Sequence, residues 1–209
     1  MPAVAGLCWL APAALHAAPE SLNERVLETA RAYPDGGGYN DQWTGSGTPE
    51  QIEFSGSTIL EEGTGGTYCS GFTFTVAMRV AADAGLLDGK PVDAVRHFQR
   101  EWYGAVSDET IREKQCAVAV ETLGIGREVE MDEARPGDFV QFWRVRSGHS
   151  VVFLDWVYDD AGNKAGLRYR SSQGSTNGIG DRVEYFQESE AGDGHVDPER
   201  IYFARLLAE

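Results

Sequence analysis

Basic residues are scarce in this chain. Its 209 residues carry 18 Lys and Arg against 33 Asp and Glu, a formal net charge of −15. The acidic residues are spread along the chain and form no terminal tail. This balance argues against nucleic acid or anionic membrane as partner, because both demand a basic patch that neutralises phosphates. Cysteine is scarcer still: there are three, too few for a disulfide scaffold. No CxxC or His-x-x-x-His spacing offers a zinc site, and no glycine-rich loop runs into Lys-Ser or Lys-Thr as a phosphate cradle does. Neither a metal nor a cofactor is therefore expected. Asp and Glu do not form the spaced pair that a glycosidase mechanism would single out. Long apolar runs are also missing, so no spanning helix is expected.

The nearest approach to such a run is residues 1–18, MPAVAGLCWLAPAALHAA, interrupted by Pro2 and Pro12 before the composition turns polar at Pro19-Glu20. This segment reads as a signal peptide, and hence as a secreted or periplasmic destination. It departs from the pattern in lacking Lys or Arg near its start and in having Leu15-His16-Ala17 where a small-x-small cleavage site belongs. A disordered or mis-started N-terminus is the competing reading. Cys8 follows Leu7, whereas a lipidated cysteine needs a small residue before it. With 42% apolar residues in the chain, residues 19–209 suffice for one core and one domain.

Ser21-Leu22-Asn23-Glu24 is a capping box that predicts a helix to about Ala32, stopped by Pro34 and Gly36-Gly37-Gly38. From there to Gly66 the chain is rich in Gly, Ser and Thr with scattered aromatics, which predicts a long ordered loop with at most one short strand. Cys69 opens a helix to about Ala84 with Cys69, Phe72, Val76 and Val80 on one stripe. A second helix is expected from Pro91 to about Tyr103. A third is expected from an N-cap at Ser107 to Leu123, with Gly124 as its stop. Cys116, Val120 and Leu123 share a face of that third helix, so a free, buried Cys116 is expected, although an oxidising compartment would allow a Cys69–Cys116 pair.

Beyond residue 125 the period changes. Phe139 to Val145, Val151 to Tyr158, Leu167 to Ser172, Val183 to Phe186 and Ile201 to Leu206 are short runs of β-branched and aromatic residues separated by turn signals such as Pro136-Gly137-Asp138 and Gly192-Asp193-Gly194. Helices first and an antiparallel meander second define an α+β fold, with the sheet expected to curl into a barrel-like form.

Two places carry chemistry. In Thr67-Tyr68-Cys69-Ser70-Gly71-Phe72 a thiol sits at a helix N-terminus, where unpaired N–H groups and the positive end of the helix dipole favour the thiolate. His149 opens a strand after Gly148, and beside that thiol it would complete a cysteine-hydrolase dyad. The bland alternatives are a buried structural cysteine and a solvated turn histidine. His97 and His195 read as surface residues without a partner. The tryptophans read as core, with Trp43 in the long loop able to line a groove.

Tyr-Cys-Ser-Gly-Phe at a helix start, Arg135-Pro136-Gly137-Asp138-Phe139-Val140 leading a strand, and His149 opening the next resemble the NlpC-type superfamily of papain-like hydrolases, which includes the CHAP amidases. The resemblance spans residues 39 to 206, with Tyr68 standing where the family usually has Asp. It implies a papain-like core whose cysteine helix packs on an antiparallel sheet carrying the histidine. It also implies cleavage of amide bonds, with peptidoglycan peptides as the substrate class. The third triad member should come from the strand after that of His149, where a neutral amide can orient the imidazole. Gln173 is the first choice there and Asn177 the reserve. The oxyanion hole should combine the Cys69 N–H with a donor from the preceding loop: Tyr39, or otherwise Gln42 or Tyr68. Two rivals stand beside this reading: a non-catalytic secreted module binding through the aromatic loop 39 to 59, and a same-fold hydrolase of other amides or thioesters.

Overall fold

A computed structural model describes residues 21–145, 147–187 and 194–207. The candidate signal peptide lies outside the described residues, as does most of the Gly192-Asp193-Gly194 turn. Helix α1 (Leu22–Ala32) starts on the full capping box, with the Ser21 side chain and Glu24 satisfying each other's backbone N–H groups. Its C-terminal end is closed from the far side of the sequence. The buried Arg170 guanidinium donates to the Ala30 and Tyr33 carbonyls and pairs with Asp35 and Asp181, giving the last turn the acceptor partners it lacks internally.

The segment expected as a loop holds three short strands: β1 (Gly36–Gly37), β2 (Ile52–Phe54) and β3 (Ser57–Leu60), the last two forming their own hairpin. Helix α2 (Cys69–Asp83) is central. Every residue from Gly71 to Met78 is buried, a wider burial than the single stripe expected, because α2 is covered by other elements on several sides. Helix α3 (Val92–Trp102) takes Pro91 as its N-cap and packs its apolar face on α5.

The expected third helix is broken. Asp108, not Ser107, caps α4 (Glu109–Lys114), and α5 (Cys116–Leu123) follows after Gln115 at φ 42°, ψ −103°. That conformation is costly for a residue with a Cβ, and the surrounding structure has to hold it. Here the Gln115 side chain lies against Gly104 and accepts from the Ser150 hydroxyl. Gly124 ends α5 in the left-handed region as expected (φ 68°). Cys116 is buried and Cys69 half-buried, and both are free, so no disulfide joins them.

The fold is α+β, all five α-helices of the described residues preceding the main strands. Strands β4 (Gly126–Val129), β5 (Phe139–Arg144), β6 (Gly148–Tyr158), β7 (Lys164–Gln173), β8 (Gly178–Tyr185) and β9 (Val196–Leu206) join β1 in one antiparallel sheet ordered β1-β8-β7-β6-β5-β9-β4. It does not close: β1 and β4 form its edges and do not pair with each other. Register shifts interrupt β5 near Phe142 and β6 near Phe153 and Val157, and such bulges bend and twist a strand.

One face of the sheet, with Phe139, Val152, Ile179 and Ala204, packs under α1, α2, α3 and α5. The other buries its own cluster, in which Phe153, Trp156, Phe186 and Phe203 meet edge to face. Met131, Ala134 and Ile201 pack against that second cluster and help to cover it.

Asp138 of the Pro-Gly-Asp turn is a structural tether. Fully buried, it accepts two bonds from Arg205 (2.8 and 2.7 Å), one from Asn23 of α1 and one from the Arg135 N–H. It thus joins helix, turn and far strand at the root of the β5–β6 hairpin. No helix among the described residues is long and apolar enough to cross a membrane.

Candidate functional site

Cys69 occupies the first position of α2, and the N-cap residue Tyr68 makes no side-chain capping bond. The first N–H groups of the helix are therefore free for another acceptor. Gly71 explains why a Ser-Gly follows the cysteine. A Cβ at that position would stand 2.2 Å from the Gly47 carbonyl oxygen, so only glycine lets loop 45–48 cross the helix start. Tyr68 clamps the same loop: its ring is buried under Gly47 and its hydroxyl donates to the Gly45 carbonyl at 2.7 Å.

Upstream, Tyr39 bridges to Thr67, with Asn40 N–H donating to the Thr67 carbonyl and Thr67 N–H to Gly38. The Thr67 hydroxyl bonds that of Ser172 at 2.7 Å, which fixes the approach to Cys69 against the strand that ends in Gln173.

The strands supply the rest. His149, near the start of β6, is 5% exposed and stands between the rings of Phe142 and Tyr169, with centroids 5.5 and 5.4 Å away. Its Nε2 lies 3.3 Å from Oε1 of Gln173, at the end of β7. The amide orientation follows from its other bonds: Gln173 Nε2 donates to the Thr176 hydroxyl and the Gly180 carbonyl, leaving Oε1 to accept. His149 Nε2 therefore carries the proton, and Nδ1 is left as an acceptor. Asn177, the reserve, is exposed in a left-handed turn, and its carbonyl accepts from Gly38. The structure brings Gln173, not Asn177, to the histidine.

Cys69, His149, Gln173 and Tyr39 line one cleft of about 640 Å³. The backbone N–H groups of Ser150 and Ser70 lie near enough to the sulfur to favour its charged form. Burial nonetheless pushes the Cys69 thiol up from its ordinary value, against those donors and the nearby Arg144 charge. Burial, then the positive Arg144, pushes His149 down to about 3.

The expectation that the helix end alone would favour a thiolate is thus corrected. Burial works against the charged form of both groups, so the pair rests as thiol and neutral imidazole. Cys116 is pushed up to about 12 by burial and does not line this cleft.

Among the other oxyanion candidates, Gln42 is exposed and turned to Asp41, and the Tyr68 hydroxyl is committed to Gly45. The Tyr39 hydroxyl accepts from Trp43 Nε1 at 3.0 Å, which leaves its own proton to donate. Trp43 is 67% exposed at the cleft rim, while Trp102 is core. His97, expected without a partner, pairs with the buried Glu101 at 3.1 Å.

A polar cluster that the sequence did not announce lies beside His149. Arg144, at the end of β5, bonds Glu184 through Nε at 2.7 Å and through Nη2, and the Tyr169 hydroxyl donates to the same carboxylate at 2.6 Å. Burial alone would raise Glu184; its bonds from Arg144 and Tyr169 hold it below the usual carboxylate value. Arg182 stands 3.6 Å from that carboxylate and donates to Ser175. Among the described residues no group of three or more His, Cys, Asp or Glu is placed to hold a metal ion.

Comparison with known proteins leaves this geometry to stand by itself: no protein-family model, curated protein or solved structure matches the chain.

Proposed function

We propose that the protein is a cysteine amidase or endopeptidase with a papain-like core of the NlpC/CHAP kind, exported to act on amide bonds of peptidoglycan peptides. The observation that carries this reading is the ordered set in one cleft: a cysteine at an uncapped helix N-terminus, and a histidine whose Nε2–H is taken by Gln173, so that Nδ1 is the nitrogen left to accept the thiol proton.

Because both groups rest neutral, His149 Nδ1 takes the proton as the Cys69 sulfur attacks the carbonyl carbon, with no thiolate stored beforehand. The carbonyl oxygen becomes an oxyanion facing the Cys69 N–H and the Tyr39 hydroxyl. His149 then gives its proton to the leaving nitrogen as the C–N bond breaks, and the acyl group remains on sulfur as a thioester. Water, deprotonated by the same nitrogen, attacks the thioester; the carboxylic acid leaves and the thiol is restored. Gln173 keeps the imidazole in the tautomer that this sequence requires.

The test is incubation of the mature protein and of Cys69→Ala with purified peptidoglycan, followed by mass analysis of the soluble products. Cysteine-dependent release of fragments carrying new amine and carboxyl ends is expected. Identical products from the two proteins would favour the non-catalytic module, for which the exposed Trp43 at the rim is the supporting feature. Cysteine-dependent cleavage of other amides or thioesters alone would favour the second rival.

A further inference from the structure

The cleft contradicts the charge of the chain that builds it. In a protein of net charge −15, the charged side chains lining the Cys69–His149 cleft are both arginines, Arg144 and Arg182, and no Asp or Glu lines it among the described residues. The carboxylate nearest them, Glu184, sits behind the wall, 7% exposed, and counters only one of the two charges.

Glu184 also acts as a brace. It holds Arg144 through Nε and Nη2, leaving Nη1 without a partner among the described residues, and the Arg144 guanidinium lies over the Phe142 ring, 5.0 Å from its centroid. Arg182 is 40% exposed and only loosely tied, by one bond to Ser175 and a 3.6 Å approach to Glu184. The wall beside the reacting atoms therefore presents a net single positive charge on braced, planar donors of the kind that grips carboxylates.

We propose that this wall is a carboxylate subsite, and that the substrate class of the enzyme is an amide carrying a free carboxylate close to the scissile bond. The inference rests on the reading of Cys69 as nucleophile and narrows what that nucleophile meets. A neutral amide would leave the two guanidiniums facing an empty, partly desolvated cleft, whereas a carboxylate pairs with them and fixes the carbonyl over the sulfur. The net negative charge of the chain disfavours such a substrate in general, and the two arginines offset that at the cleft.

The test needs no turnover. The full chain in a Cys8→Ser background is alkylated with iodoacetate and, separately, with iodoacetamide, and modification at Cys69 is followed by peptide mass analysis. The two reagents differ in carrying a carboxylate or a neutral amide. The expected result is a ratio of iodoacetate to iodoacetamide rates well above that of free cysteine in the same buffer, falling about fivefold in Arg182→Gln, the size of one partly exposed charge pair. The ratio should also fall toward the free-cysteine value as salt is raised. A double variant, Arg144→Gln with Glu184→Gln, removes the inner guanidinium without stranding its carboxylate and should lower the ratio further.

A ratio equal to that of free cysteine and unmoved by Arg182→Gln or salt would overturn the carboxylate subsite while leaving the nucleophile intact. Failure of both reagents to reach Cys69 would instead count against the nucleophile itself.

Discussion

Replacing Gln173 by Glu puts a carboxylate where an amide oxygen now stands 3.3 Å from His149 Nε2. At an effective dielectric constant of about 20, opposite unit charges at that separation attract by about 5 kcal/mol. The site is 5% exposed, and desolvating the new carboxylate offsets a large part of that attraction. The new oxygen also faces the Gly180 carbonyl that Gln173 Nε2 now satisfies, a further cost. A net gain of about 2.7 kcal/mol would raise His149 by about two pKa units from its present value near 3.

The assay is a titration of ring-labelled histidine by NMR. His149 is identified among the four histidines by the signal lost in His149→Gln, and a cooperative thermal transition certifies that Gln173→Glu is folded. A folded variant in which His149 titrates as in the parent would refute the placement of Gln173 against the imidazole. In the parent, the same spectra should show Nε2 as the protonated nitrogen.

Two predictions concern stability. Asp138→Ala strands the Arg205 guanidinium, 8% exposed, and should cost about 3–5 kcal/mol, as breaking a buried pair does. Denaturant unfolding should show a lower midpoint at similar slope, and a loss below about 1 kcal/mol would contradict the tether.

The second is pH dependence. The folded pKa of His149 lies below its ordinary 6.5, at about 3, so the unfolded chain takes up a proton first as pH falls. Stability linked to this group is full above pH 6.5 and declines toward pH 3, by at most about 1.4 kcal/mol per pH unit. His149→Gln should remove that component from urea titrations at pH 7, 5 and 4, and parallel profiles for the two proteins would contradict it.

The parts of the fold written in local signals were legible in the sequence. Ser21 and Glu24 close a capping box, Cys69 begins its helix, Gly124 turns left-handed, and the apolar runs after residue 138 are strands. What escaped depends on tertiary partners. Gln115 breaks a continuous helical pattern without Gly or Pro because Gly104 and Ser150 hold it in a strained turn. The glycines from Gly174 to Gly180 are a turn signal in the sequence, yet Gly178-Ile179-Gly180 is strand because β7 and β1 pair with it on both sides. In the site, the convergence of Cys69, His149 and Gln173 on one cleft followed from order along the chain. The Arg144–Glu184–Arg182 wall did not, because its members come from strands whose register no local pattern fixes. The alternation of Arg182 and Glu184 places them on one face of β8, but nothing in the sequence says that this face turns toward His149.

The claim at the centre of this account is that His149 serves Cys69. Alkylation of Cys69 by iodoacetamide across pH 5 to 10, in the parent and in His149→Ala, tests it most directly. With the thiol pushed up by burial, the account predicts that the parent reacts at neutral pH at least about a hundredfold faster than His149→Ala, the low end of what a positioned general base contributes. The variant should approach the parent only at alkaline pH. Coincident profiles, with an apparent pKa near that of a free thiol in both proteins, would contradict it.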